Sequence, residues 1–172
     1  IVNDAGYSGG VRTSQGIQLY NISNTNVTGN NISGGAVNGI YLQYSTNNNL
    51  SNNQINVTGA YGMYIIASSS SNTLQNNNIT ASGNNVYGIY LYLGSNSNNI
   101  TGNNITTNGT SGYGIFLDGG GGAGNINNTL SNNIITTKGS ASYGIYVFAN
   151  SNSNNISSNT ITTDNINAYG IY

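Results

Sequence analysis

Apolar residues recur along the chain in a short phrase that returns with small changes. Its copies are Gly39-Ile40-Tyr41-Leu42, Gly62-Met63-Tyr64-Ile65, Gly88-Ile89-Tyr90-Leu91, Gly114-Ile115-Phe116-Leu117, Gly144-Ile145-Tyr146-Val147 and Gly170-Ile171-Tyr172, after a weaker Gly16-Ile17-Gln18-Leu19. The glycines stand 23, 23, 26, 26, 30 and 26 residues apart. Within a copy, strict alternation places Ile89 and Leu91 on one face of a strand and Tyr90 on the other. Two further apolar positions follow in every period. The first is Val27, Leu50, Leu74, Ile100, Leu130 and Ile156; five residues later comes Ile32, Ile55, Ile79, Ile105, Ile135 and Ile161.

The stretch from Tyr87 to Gly112 shows how one period folds. A strand at Tyr87-Gly88-Ile89-Tyr90-Leu91 is followed by the polar turn Gly94 to Asn99, then Ile100, then Gly102-Asn103-Asn104 and Ile105, and a last turn from Asn108 to Gly112. Each period therefore predicts three short strands and three turns. Such units cannot bury an apolar face alone and must stack. The expected fold is all-β, a right-handed parallel β-helix (β-solenoid) with three short strands per rung and about six complete rungs of 23–30 residues. Right-handedness follows from the preference of parallel crossovers, and a left-handed hexapeptide helix would need only about 18 residues per coil. At the usual strand spacing the rungs make a rod about 30 Å long. Residues 1–172 read as a single solenoid domain, with 1–14 an irregular or partial first rung. The chain starts without Met and stops inside a repeat, and neither end reads as a cap, so it is expected to be a segment of a longer chain or a subunit of a polymer.

Four outward or corner columns stand out. Asn30, Asn53, Asn77, Asn103, Asn133 and Asn159 each stand two residues before the third-strand Ile. At a tight corner, stacked amides pass hydrogen bonds along the rod and satisfy backbone groups, which makes this a structural asparagine ladder. The aromatic column Tyr41, Tyr64, Tyr90, Phe116, Tyr146 and Tyr172 faces outward by alternation. A second aromatic column, Tyr61, Tyr87, Tyr113, Tyr143 and Tyr169, shares parity with the core Ile and belongs at a corner or partly buried. Cross-strand stacking explains both columns structurally, while an exposed aromatic strip is also a surface for sugar rings or partners. Finally, Ser33, Asn56, Thr80, Thr106, Thr136 and Thr162 form an outward polar column, compatible with strand propensity and, as a minor alternative, with an ice-binding face.

Composition then removes most chemistry. The charged side chains are Arg12, Lys138, Asp4, Asp118 and Asp164, with no Glu, His or Cys. The usual general acids, bases and imidazole or thiolate ligands are missing, so no catalytic residue, cofactor or metal site is assigned. By repeat position Asp118 follows a first strand and Asp164 a third strand, so paired carboxylates for glycoside hydrolysis do not arise. Without a basic patch there is no footprint for nucleic acid, and no apolar run reaches membrane-spanning length. Near-zero net charge favours self-association. The run Asp118-Gly119-Gly120-Gly121-Gly122-Ala123-Gly124 lacks the lysine and spacing of a phosphate loop and reads as a turn insertion. Asn-x-Ser/Thr sequons occur at Asn21, Asn26, Asn31, Asn49, Asn56, Asn78, Asn99, Asn104, Asn108, Asn127 and Asn155. They offer N-glycosylation acceptors, although rungs less than about 5 Å apart leave no room for bulky glycans on both Asn78 and Asn104.

The pattern Asn-x-Ile-x-x-Asn-x-Ile followed by Tyr-Gly-Ile-Tyr-Leu resembles the right-handed parallel β-helix repeat superfamily. Ile100-x-x-Asn103-x-Ile105 with Tyr113-Gly114-Ile115-Phe116-Leu117 is a clear instance. The superfamily covers pectate-lyase-like folds, carbohydrate-binding and sugar-hydrolase repeat domains, and NosD-like proteins. Sugar-cleaving members imply clustered acids, which are missing here; NosD-like members imply copper, for which Met63 is the one soft ligand. The resemblance lies nearest the non-catalytic repeat regions of archaeal or bacterial surface and adhesin-like proteins. It implies an extracellular or cell-surface structural protein (fibre, sheath or stalk) that associates with itself, with glycans, covalent or bound, as further partners. The alternative is a carbohydrate-binding module using the Tyr41–Tyr146 strip.

Overall fold

The computed structural model describes residues 15–35 and 37–172; the expected partial rung at 1–14 lies outside them. The described residues climb through six rungs of three strands. The first rung is β1 (Gln15–Tyr20), β2 (Asn26–Thr28) and β3 (Asn31–Gly34); the second is β4 (Asn38–Gln43), β5 (Asn49–Ser51) and β6 (Gln54–Thr58). The third comprises β7 (Met63–Ile66), β8 (Thr73–Gln75) and β9 (Asn78–Ser82), and the fourth β10 (Ile89–Tyr92), β11 (Asn99–Thr101) and β12 (Asn104–Thr107). The fifth holds β13 (Ile115–Asp118), β14 (Thr129–Ser131) and β15 (Ile134–Thr137), and the sixth β16 (Ile145–Phe148), β17 (Asn155–Ser157) and β18 (Thr160–Thr163). Strands of like position pair in parallel, giving three six-stranded sheets in which no strand pairs outside its own column. This is the expected all-β parallel solenoid.

Register follows the repeat. Ile89 pairs with Met63 and Ile115, Ile100 with Leu74 and Leu130, and Ile105 with Ile79 and Ile135. These side chains fill the rod and are fully buried, together with Leu42, Ile65, Leu91 and Leu117. The repeat glycine is required by close approach. A Cβ on Gly88 would run into Ile105 Cγ2 and lie 2.6 Å from the Gly114 carbonyl oxygen of the next rung. One inward column changes chemistry along the rod, from Val57 and Ala81 to Thr107 and Thr137. Both threonines are buried, and the hydroxyl of Thr107 donates to the Gly112 carbonyl at 2.8 Å.

The corners explain the abundance of asparagine. In rung four the chain reads Ser97-Asn98-Asn99-Ile100-Thr101 and then Gly102-Asn103-Asn104-Ile105-Thr106, the same five-residue device twice. Its first residue turns the corner with positive φ: 55° at Ser97 and 65° at Gly102, and likewise 57° at Asn47 and 56° at Asn52. Glycine and asparagine tolerate that left-handed backbone best. The second residue is a buried asparagine, the third faces out, and the fourth enters the core.

Buried asparagines form two ladders. In the one expected from the sequence, Asn77 donates from its backbone N–H at 3.0 Å and from Nδ2 at 2.9 Å to Asn103 Oδ1. Its second amide hydrogen goes to the Leu50 carbonyl at 2.9 Å, one rung back. The same three bonds recur at Asn53, Asn103 and Asn133. Asn30 gives the two forward bonds to Asn53, and Asn159 receives the last ones. The second ladder, Asn48, Asn72, Asn98, Asn128 and Asn154, repeats the scheme at the preceding corner: Asn72 N–H and Nδ2 reach Asn98 Oδ1 at 2.9 and 3.1 Å. Sequence reasoning singles out only one ladder. The signal for the other is identical, an asparagine two residues before a core residue, broken only by Thr25 in the first rung.

Replacing Asn103 by Leu removes the acceptor of two buried donors, Asn77 N–H and Nδ2. Each orphaned donor costs about 1–3 kcal/mol, so Asn103→Leu is expected to destabilise by about 2–6 kcal/mol, and Asn98→Leu by a similar amount. Urea denaturation of both variants checks this; an unchanged midpoint would show that the ladders do not bear on stability.

Candidate functional site

Among the described residues, aromatic side chains gather on the outer face of the first sheet. Alternation along β7, β10, β13 and β16 sends Tyr64, Tyr90, Phe116 and Tyr146 outward in register. Consecutive rings stack at 4.9, 5.1 and 4.8 Å between centroids, with planes 3°, 5° and 13° apart. The column before the glycines lies beside it. The chain bends at Gly62, Gly88, Gly114 and Gly144, so strand parity does not carry across them, and these half-buried rings lean over the outer face. Tyr61, Tyr87, Tyr113 and Tyr143 stack at 4.9, 4.9 and 5.0 Å. Between columns the rings meet edge to face, as in Tyr87–Tyr90 at 5.2 Å and 74°. The result is a herringbone sheet of aromatic rings, a favourable arrangement of ring quadrupoles.

This packing corrects the picture of an open aromatic strip. Tyr90 and Phe116 are buried, at 8% and 7% exposure. Their ring faces are covered by the rungs before and after and their flanks by the second column. Tyr41 meets Tyr64 at 67° rather than stacking, and its hydroxyl donates to Gln43 Oε1 at 3.0 Å. Tyr172 is 58% exposed and tilted 55° from Tyr146. In the body of the ladder, the ring faces are taken up by neighbouring rings.

One carboxylate enters the site. Asp118 pairs in register with Tyr92 and Phe148, two residues after Phe116 and on the same face. Its Oδ2 accepts the Tyr90 hydroxyl at 3.0 Å, and its Oδ1 accepts the Gly120 N–H at 2.8 Å as the glycine insertion begins. Sequence reasoning left Asp118 isolated, although Tyr92 and Asp118 stand 26 residues apart, matching that rung's glycine spacing. Burial, then the Asp118 hydrogen bond and charge, push the Tyr90 phenol far above its ordinary value. Burial raises Tyr64 as well, and Tyr87 to about 12. None of these phenols is a base at neutral pH.

The remaining sequence candidates do not converge here. Asp164 follows β18 at the third sheet, where its N–H bonds the Thr137 carbonyl at 3.0 Å; Asp4 and Arg12 lie outside the described residues. Met63 is fully buried in the core and faces no ligand site. Among the described residues no group of three or more His, Cys, Asp or Glu is placed to hold a metal. The Ser33–Thr162 column is in register on the outer face of the third sheet. The column beside it carries Asn31, Gln54, Asn78, Asn104 and then Ile134, which is 55% exposed. Of the sequons, Asn26, Asn49, Asn99 and Asn155 lie on the second sheet and Asn31, Asn56, Asn78 and Asn104 on the third. Asn21 and Asn127 are left-handed corners, and Asn108 follows β12. All are exposed except the half-buried Asn49. Asn104 Nδ2 donates to Asn78 Oδ1 at 3.2 Å, which shows how close those two acceptors lie.

Residues 3–105 match the right handed beta helix region family, and the chain belongs to that family. No curated protein matches it. Among solved structures it is similar to the A-module of mannuronan C-5 epimerase AlgE4 from Azotobacter vinelandii, with a TM-score of 0.53 and 17% identity over 91% of this chain. The chain spans 55% of that module's length, and the likeness extends to the fold alone. HetL, a pentapeptide repeat protein of the cyanobacterium Nostoc sp. strain PCC 7120, gives a TM-score of 0.16 at 10% identity over 91% of this chain and 87% of its own, too low to bear on the fold.

The raised phenols make stability fall at alkaline pH. Unfolded tyrosines ionise near 10.0 and the folded ones higher, so above that value the unfolded state holds fewer protons and is favoured. The stabilisation is complete below pH 10 and is lost as pH rises above it. The melting temperature is expected to be flat up to about pH 9 and to fall steadily towards about pH 12; a flat profile over the whole range would contradict the buried herringbone.

Proposed function

We propose that this solenoid is a non-catalytic structural rod of the cell surface, part of a fibre, sheath or adhesin-like stalk that associates with itself. The observation that supports this most is where the side chains spend their hydrogen bonds and ring contacts. Both asparagine ladders and both aromatic columns link successive rungs along most of the rod, and among the described residues no set of polar groups converges on a space for a substrate. A rod held this way resists bending and shear. Its sides carry Asn, Ser and Thr with a formal net charge of −1, so copies meet without electrostatic repulsion. The exposed sequons fit a glycosylated extracellular surface, with glycans on the second and third sheets and the aromatic face left bare.

The carbohydrate-binding alternative loses its main attraction once the ring faces are covered, because sugar stacking needs an open aromatic face. The two readings separate in one pair of experiments. Electron microscopy and fibre diffraction of native material are expected to show rods with a meridional spacing of about 4.8 Å. Purified chain is expected to show no retention on glycan columns. Discrete particles, together with glycan retention that Tyr64→Ala plus Tyr90→Ala abolishes, would overturn the structural role.

A further inference from the structure

We propose that Tyr90 and Asp118 form a one-electron redox site, fed by the aromatic stack and served by Asp118 as proton acceptor. Tyr90 meets five other rings, a number that only Tyr146 matches among the described residues. It stacks on Tyr64 at 4.9 Å and Phe116 at 5.1 Å, meets Tyr61 and Tyr87 edge-on at 5.1 and 5.2 Å, and stacks on Tyr92 at 5.6 Å. An electron vacancy created on a more exposed ring of either column thus has contiguous paths to it. Phe116, which has no phenol to oxidise, stands between Tyr90 and Tyr146 in the same column.

What sets Tyr90 apart is its hydroxyl. Removing an electron from a phenol makes its proton strongly acidic, so the vacancy settles where a base can take that proton. Asp118 and Asp164 are the only carboxylate side chains among the described residues, and Asp118 Oδ2 lies 3.0 Å from the Tyr90 oxygen. The Gly120 N–H on Oδ1 fixes the carboxylate's orientation. By contrast the Tyr41 hydroxyl donates to the amide oxygen of Gln43, which is no base. The step balances simply. A one-electron oxidant, such as a high-valent metal complex, takes one electron. The Tyr90 O–H bond breaks, its proton passes to Asp118, and a neutral tyrosyl radical remains. A one-electron reductant and the proton held on Asp118 restore the phenol. At 8% exposure the Tyr90 ring is shielded from coupling to other radicals.

The test is photo-oxidation of the purified chain with a ruthenium tris-bipyridyl complex and persulfate, followed by freeze-quench electron paramagnetic resonance. Wild type is expected to give a long-lived neutral tyrosyl signal whose formation slows in deuterium oxide. Asp118→Asn should cut the yield about tenfold, the scale of a lost charge-assisted hydrogen bond. Tyr90→Phe should abolish the long-lived signal and move oxidation to exposed tyrosines such as Tyr44, seen as dityrosine fluorescence. Tyr146→Phe should leave the signal in place. Circular dichroism melts identify any variant that does not fold. An unchanged signal in folded Asp118→Asn or Tyr90→Phe would overturn the proposal, and so would a wild-type signal formed without a solvent isotope effect.

Discussion

A parallel solenoid turns a sharp corner twice in every rung before its second and third strands, and at each corner backbone groups are withdrawn from water with no strand partner. The buried asparagine amide resolves this. One side chain accepts two N–H groups from the rung before and returns both of its own hydrogens, one forward to the next amide and one back to a carbonyl. Every hydrogen-bonding site of Asn77 and Asn103 is used in this way. Buried polar groups that are fully paired specify a register, whereas a half-paired set costs more than an apolar core. The uninterrupted column of asparagine follows from that asymmetry, and the core, the sheets and the aromatic face inherit its register.

The same constraint explains a chain almost without charge. A charged side chain stacked on its own copy one rung away would repel it at the strand spacing, while amides, hydroxyls and aromatic rings attract theirs. The outer columns accordingly repeat one neutral chemistry along much of their length. Where the repeat breaks, the structure shows why it can. Thr107 and Thr137 replace apolar residues in the core because each hydroxyl reaches a turn carbonyl. Asp118 is tolerated because a phenol and a backbone N–H bind its two oxygens.

Much of this was legible in the sequence. The glycine spacing and the paired apolar positions five residues apart define the rung, its three strands and the residues that fill it, because period-2 alternation and stacking leave few other solutions. The ladder at Asn103 could be read from an unbroken column; its twin at Asn98 carries the same signal, obscured by Thr25 in the first rung. The aromatic face was legible only in part. Alternation assigns Tyr90 to the outside, but it says nothing about what then covers it. That depends on how Tyr61 and Tyr87 swing at the bend before the glycine, a conformation that parity cannot encode. The Tyr90–Asp118 contact joins different rungs, so it becomes visible only once the register is known.

Solvent exchange of individual side-chain amides tests the ladder account most directly. Nuclear magnetic resonance can follow the Nδ2 hydrogens of Asn77, Asn98, Asn103 and Asn133 beside those of the exposed Asn31 and Asn104. If the ladders hold the rungs in register, the first group exchanges as slowly as the core strand amides of Ile79 and Ile105, and the second group exchanges quickly. Equally fast exchange in both groups would contradict the central claim, and would leave apolar packing and the backbone bonds between strands to hold the rod alone.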